Sequence, residues 1–296
     1  MHRSNSSSLA YRDEGAGPAV IFIHGWGVDG SLFEEQVTAL SPDFRVVVPD
    51  LPGHGASADF GPDDRFSRLA DEVAELILEL ELQPACLIGW SMGAMVSWDL
   101  LSRHREIQID RLVTIDMVPY LKTGPEWPFG LRDENDRGFW SSHAALMRAD
   151  WDAYCHLFVP RMFAPGSDDA TKAQEGRVIP VALANKSEHM AAVWQSMGAQ
   201  DFRKALQGIS VPTLVVTGRL SQLYGVDAAN WVAEHMSKAR SVVFDRSGHS
   251  PHMEEPEAFN AMLQEFLSMQ PTQHKTQGTG SGSDRADSIF GGSEYV

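Results

Sequence analysis

Pro84 to Arg103 read PACLIGWSMGAMVSWDLLSR, and this stretch decides the fold. An apolar run, Ala85 to Ile88, leads into Gly89-Trp90-Ser91-Met92-Gly93, after which Ala94, Met95, Trp98 and Leu101 recur at helical spacing. That order predicts strand, sharp turn, helix. In such a turn the serine takes a strained backbone conformation, and a glycine is needed two residues to either side because a Cβ there would meet the neighbouring strand and helix. The hydroxyl then stands above a helix N-terminus, whose free N–H groups favour developing negative charge. Ser91 is therefore the candidate nucleophile. A G-x-S-x-G alone arises by chance in about one chain in ten of this length, so the weight rests on the flanking strand and helix and on partners elsewhere.

Upstream, Ser8 to Asp13 reads as a short strand and Ala19 to Ile23 as a continuous apolar run, the pattern of a parallel strand covered on both faces. The run ends in His24-Gly25-Trp26-Gly27. A helix from Ser31 to Leu40 with Ser31 as N-cap, a strand from Arg45 to Pro49, a loop from Asp50 to Ser57 and an amphipathic helix from Ser67 to Leu82 follow. Downstream come a strand from Leu112 to Ile115 ending at Asp116, a strand from Pro212 to Thr217, a helix from Val226 to Met236, a strand from Ser241 to Phe244, and a closing helix from about Glu255 to Ser268. This alternation predicts an α/β fold, a mostly parallel sheet with helices on both faces. Ligands of such sheets bind beyond the carboxyl ends of the strands, where His24, Asp50, Ser91 and Asp116 all lie. Between Pro119 and Ala205 no comparable strand occurs and aromatic residues are scattered through helix-like segments. The expected organisation is a core of 1–118 and 206–270, a helical cap of 119–205, and a polar, disordered tail of 271–296.

The chain has 296 residues, 43% of them apolar and 22% charged, and a formal charge of -16. That charge repels phosphates, which argues against nucleic acid or an anionic membrane as partner. The first residues lack the apolar segment of a secretory signal, and no run approaches the ~20 apolar residues of a membrane span, so a cytoplasmic location is expected. Cys86 and Cys155 are expected to be free thiols. No metal-ligand spacing and no phosphate-cradling glycine motif is present, so neither metal nor cofactor is expected.

A serine hydroxyl needs a base to take its proton, and the base needs a third group to orient it. His249, in a glycine-bearing loop after the final strand, fits the base. His252 competes with it but lacks the glycine before it.

Four motifs in order, His24-Gly25-Trp26-Gly27, Asp50 to Ser57, Gly89 to Gly93 and Gly248-His249-Ser250-Pro251, resemble the motif set of the α/β-hydrolase superfamily. The resemblance covers residues 8–118 and 210–268. Within that superfamily the chain is most similar to carboxylesterases of the pimeloyl-[acyl carrier protein] methyl ester esterase type, at His24 to Gly27, at Gly-Trp-Ser-Met-Gly and at Glu126-Trp127-Pro128. It implies an oxyanion hole formed by the backbone N–H groups of Trp26 and Met92, with His24 supporting its loop by hydrogen bonding. The chain departs from the family at the acid. Most members have Gly-x-x-Asp after the penultimate strand, and here that position is Ser221. Asp116 is the expected substitute, with Asp245 as runner-up. Asp50 and Glu254 are read as structural, binding loop or helix-terminal N–H groups. Substitution of Ser221 is expected to matter little.

The expected function is hydrolysis of a carboxylic ester of a medium, largely apolar substrate through an acyl-enzyme, with Trp90, Trp127 and Phe158 in the substrate pocket. Lactonase, thioesterase, perhydrolase or C–C hydrolase chemistry on the same site are alternatives, as is a non-catalytic ligand-binding protein, which Ser221 motivates. The expected partner is a small-molecule ester. Acyl carrier protein is a further candidate, although the cap arginines Arg132, Arg137, Arg148, Arg161 and Arg177 are interleaved with acidic residues.

Overall fold

The apolar runs become strands of one eight-stranded sheet in the computed structural model, which describes residues 1–132, 134, 138–166 and 169–269. The strands are β1 (His2–Arg3), β2 (Ala10–Glu14), β3 (Ala19–Ile23), β4 (Arg45–Pro49), β5 (Ala85–Trp90), β6 (Ile109–Ile115), β7 (Thr213–Gly218) and β8 (Ala239–Phe244). Their order is β1-β2-β4-β3-β5-β6-β7-β8. β1 and β2 pair antiparallel at one edge, and all pairings from β4 to β8 are parallel.

The helices, in chain order, are α1 (Glu34–Leu40), α2 (Ser67–Glu79), α3 (Met92–Arg103), α4 (Phe139–Ala149), α5 (Trp151–Phe158), α6 (Asp169–Leu183), α7 (Ser187–Met197), α8 (Arg203–Leu206), α9 (Val226–Glu234), α10 (Pro251–Glu254) and α11 (Pro256–Ser268). Continuous apolar strands follow from this layering, because alternate side chains enter different cores. Ile21, Val47, Leu87, Leu112 and Val215 pack with residues of α2, α3 and α9, such as Leu69, Trp98 and Val232. Val20, Val46, Ile88, Val113 and Val216 pack with residues of α1 and α11, such as Val37, Phe259 and Phe266. All the described chain between β6 and β7 that forms regular elements is helical, α4 to α8, apart from isolated bridges at Tyr120 and Gly124.

Several boundaries differ from expectation. Asp29, not Ser31, caps the segment before α1: its carboxylate accepts the Ser31 N–H at 2.9 Å and the Ser31 hydroxyl at 2.5 Å, and the first turn, Gly30–Phe33, is a 3-10 helix. A carboxylate is the stronger acceptor at a helix start. β6 begins at Ile109 and β8 at Ala239 because Ala85 and Thr213 pair with them. Arg111 and Arg240 interrupt the apolar pattern there and hid those ends. Both cysteines are free and buried, and burial pushes the Cys155 thiol up to about 12. No described helix is long and apolar enough to cross a membrane. The tail expected from residue 271 lies outside the described residues, as does Arg137.

Candidate active site

β5 runs directly into Ser91, which adopts φ 54° and ψ −120° before α3 begins at Met92. Few non-glycine residues occupy that region, so the turn stores of order 1–3 kcal/mol of strain. The flanking glycines permit it. A Cβ on Gly89 would lie 2.3 Å from the Gly93 carbonyl oxygen, and one on Gly93 would lie 2.1 Å from that of Ile23 in β3. The Ser91 N–H donates to the Ile115 carbonyl at 2.8 Å, which ties the turn to β6.

The loop after β3 abuts the serine: a Cβ on Gly25 would come 3.2 Å from the Ser91 Cβ. Two buried histidines fix this loop. His24 Nδ1 donates to the Gly25 carbonyl at 2.7 Å and its Nε2 accepts the Leu51 N–H at 2.9 Å. His54 Nδ1 donates to the Pro52 carbonyl at 3.1 Å while its Nε2 accepts the Gly27 N–H at 3.1 Å. Each ring can satisfy both neighbours only when neutral, and burial holds His24 below, and His54 well below, the ordinary histidine pKa. Asp50 accepts the Gly30 N–H at 3.0 Å and the Ala56 N–H at 2.9 Å. Among the described residues the backbone N–H groups of Trp26 and Met92 enter no hydrogen bond.

His249 Nδ1 lies 2.7 Å from Asp116 Oδ2, and both side chains are buried. A carboxylate accepts, so Nδ1 donates, and in the neutral imidazole this leaves Nε2, on the far side of the ring, as the acceptor. Asp116 sits at φ 45°, a left-handed conformation that aspartate tolerates. Its Oδ1 accepts from the Thr217 hydroxyl and its Oδ2 also accepts from the Ser221 hydroxyl at 2.6 Å. The runner-up acid and the competing base lie elsewhere. Asp245 is exposed and pairs with Arg219. His252 is buried against Trp90, 4.5 Å between ring centroids, with neither ring nitrogen hydrogen-bonded, and burial pushes it down to about 3.

Glu254 organises the histidine loop and joins it to the cap. Its oxygens accept the N–H groups of Ala164 at 2.7 Å, Gly248 at 2.8 Å and Ser250 at 3.3 Å, and burial raises its pKa. The Ser250 hydroxyl donates to the Met162 carbonyl at 2.7 Å, and Gln222 Nε2 donates to the carbonyls of Pro160 at 3.1 Å and Phe163 at 3.0 Å.

Ser91 and His249 open onto one cleft, lined otherwise by Trp26, Phe158 and further cap and loop residues. Of the three pocket residues expected from sequence, only Phe158 is among its walls. Trp90 is fully buried on the α1 and α11 side of the sheet, and its indole N–H donates to the His249 carbonyl at 2.9 Å. Strand alternation explains this correction, because Trp90 shares parity with Cys86 and Ile88. Trp127 instead packs edge-on against Trp231 of α9, 4.7 Å between centroids, and donates to the Tyr120 carbonyl. The cleft also takes in Tyr154, Trp194, Trp140, His143, Tyr224 and Arg161, which sequence reasoning did not single out as pocket residues. Helical spacing was the available signal for some: Tyr154 and Phe158 lie four apart on α5, and Trp140 and His143 three apart on α4. His143 Nδ1 and the Tyr154 hydroxyl are 2.8 Å apart in this wall. Among the described residues no group of His, Cys, Asp and Glu is placed to hold a metal ion.

The arrangement can activate a hydroxyl, hold an imidazole in one tautomer and offer two N–H donors to an oxyanion. Comparison with known proteins agrees with the architecture. Residues 20–262 match the model of the alpha/beta hydrolase family. The chain is 29% identical to a pimeloyl-[acyl-carrier protein] methyl ester esterase of Vibrio cholerae over 88% of this chain and 98% of that protein. Among solved structures, an esterase from Exiguobacterium antarcticum superposes with a TM-score of 0.81 at 23% identity, covering 88% of this chain and 96% of that one. An enol-lactonase from Burkholderia xenovorans superposes with a TM-score of 0.76 at 26% identity, covering 90% and 98%. The match spans the sheet from β3 to α11, with the elbow formed by the Ser91 turn and the histidine loop inside it, and the chain belongs to the alpha/beta hydrolase family.

Proposed function

We propose that the protein is a serine hydrolase that cleaves a carboxylic ester of a medium, largely apolar substrate through an acyl-enzyme. The observation that supports this reading best is the buried Asp116–His249 pair, 2.7 Å apart, whose ring opens onto the cleft shared with the strained Ser91. Ser91 Oγ attacks the ester carbonyl carbon while His249 Nε2 takes its proton. The carbonyl oxygen becomes an oxyanion held by the N–H groups of Trp26 and Met92, donors worth roughly 2.7–4 kcal/mol each in such a site. The tetrahedral intermediate collapses, the alkoxide leaves with the proton from His249, and Ser91 keeps the acyl group. Water then attacks the acyl carbon while His249 takes its proton, and the second intermediate collapses by breaking the bond to Ser91 Oγ, which recovers the proton from His249 as the acid leaves. Asp116 keeps Nδ1 protonated and stabilises the imidazolium.

The apolar, aromatic walls of the cleft suit a hydrocarbon acyl or alcohol group. A substrate on acyl carrier protein belongs to this class, and the Vibrio cholerae relative bears that name. Of the cap cations that could meet an acidic carrier, Arg148 is paired with Glu188 and Arg177 with Glu35. The test is labelling by a fluorophosphonate and burst kinetics on p-nitrophenyl esters of graded chain length. Labelling that is lost in Ser91→Ala, with an acyl burst in the wild type, is expected. An unlabelled wild type would reject the reading in favour of a binding protein.

A further inference from the structure

We infer that Ser221 is the positioning residue for the acid: its hydroxyl holds the Asp116 carboxylate against His249 and ties that carboxylate to the wall of the cleft. This rests on the proposed roles of Ser91, His249 and Asp116.

The direction of the hydrogen bonds follows from their partners. The backbone N–H groups of Leu223 and Tyr224 both point at Ser221 Oγ, at 3.3 Å each, so the oxygen accepts from the loop. Its single proton is left to donate, and Asp116 Oδ2, 2.6 Å away, is the acceptor. The same Oδ2 faces His249 Nδ1 at 2.7 Å. Ser221 therefore fixes the very oxygen that orients the imidazole, while Thr217 occupies Oδ1. Asp116, Ser221 and His249 are all nearly inaccessible to solvent, which makes water a poor substitute for a lost donor.

The backbone presses the three segments together. A Cβ on Gly218, the last residue of β7, would lie 1.9 Å from the Gly248 carbonyl oxygen, so the turn bearing Ser221 and the loop bearing His249 are in contact. The Ser221 N–H closes that turn on the Gly218 carbonyl at 3.2 Å. Leu223 and Tyr224, which aim their N–H groups at the Ser221 hydroxyl, also line the cleft. The acid and the substrate wall thus share one hydroxyl, which makes Ser221 more than a spacer where a carboxylate was expected.

The test compares Ser221→Ala with Ser221→Thr, which keeps the donor, on p-nitrophenyl butyrate. Ser221→Ala is expected to lower kcat about 10- to 100-fold with KM changed no more than about twofold, and Ser221→Thr to recover kcat to within about threefold of wild type. Fluorophosphonate labelling should slow in parallel with kcat. Ser221→Cys, similar in size and a weak donor, carries the same expectation should Ser221→Ala fail to fold. A kcat for Ser221→Ala within twofold of wild type overturns the inference while leaving the serine hydrolase intact, as does an equal fall in the alanine and threonine variants. A wild type that neither labels nor turns over removes the underlying reading, and this inference with it.

Discussion

The carboxyl end of β5 and the carboxyl ends of β6, β7 and β8 carry the two halves of the candidate site, and they are built by different means. At β5 five consecutive residues, set against the end of β3, form the turn. Gly89 and Gly93 clear the space, Ser91 takes the left-handed turn, and α3 begins at the next residue. At β6 and β7 and in the loop after β8 the work is spread over Asp116, Thr217, Ser221 and His249, residues separated by as many as 133 positions and joined by side-chain hydrogen bonds. Backbone stands against both glycines, that of α3 at Gly89 and that of β3 at Gly93, and it tolerates no change of position. A hydrogen-bonded carboxylate needs only to arrive within reach of a ring nitrogen, and more than one strand can deliver it.

That contrast is open to direct attack. The largest expected effect is at Ser91: Ser91→Gly should lower kcat by about 10⁶, comparable to loss of a serine nucleophile elsewhere, yet raise stability by about 1 kcal/mol, because glycine accepts φ 54° without strain. Urea unfolding alongside ester turnover checks both signs, and a less stable variant would deny that the elbow is strained. Next comes Asp116, the proposed acid. Asp116→Asn should cost about 10⁴ in kcat, and adding Ser221→Asp should recover at least about tenfold, since Ser221 Oγ stands 2.6 Å from the oxygen that His249 uses. Failure of the double variant to gain on the single one would show that the acid end is as position-bound as the elbow.

Gly93→Ala sharpens the other side. Its Cβ would meet a backbone oxygen at 2.1 Å, and backbone yields poorly, so a loss of about 3 kcal/mol or more in stability is expected from chemical denaturation. An alanine tolerated at wild-type stability would remove the steric account of the turn.

Between pH 7 and 5 the smallest effect concerns His252, packed behind the site with both ring nitrogens unsatisfied. Its pKa lies at about 3, against an ordinary value of 6.5, so below pH 6.5 the unfolded chain binds a proton that the folded protein excludes. Stability should therefore fall as pH drops from about 6.5 towards 3, by up to about 1.4 kcal/mol per unit from this residue. His54, also held well below its ordinary value, adds in the same direction. His252→Leu should flatten the stability profile between pH 7 and 5. Parallel profiles for the two proteins would exclude His252 as a contributor.

The legible parts of the molecule are those written in local pattern. β3 and β4 coincide with the apolar runs read for them, and α2, α3 and α11 with their helical periodicity, because each buries its own repeat. Asp116 could be nominated from its place at a strand end, but its link to Ser221 could not, because no spacing relates residues 105 positions apart. Trp90 was misassigned although its strand parity was available. Trp127 lies outside any helix or strand, so no periodicity could say which way it faces. The cap walls were obscured for a related reason: aromatic residues serve equally as packing and as lining, and only the mutual placement of α4, α5 and α7 separates the two.

The sequence by itself determined the layered α/β sheet and the strand-turn-helix at Ser91, because strand and helix periodicity and the G-x-S-x-G spacing are local patterns. Only the tertiary structure decided which aromatics line the cleft, and that Ser221 and Thr217 both donate to Asp116. Those depend on side chains from distant segments meeting in three dimensions, where burial makes each hydrogen bond count and where no one-dimensional pattern records the encounter.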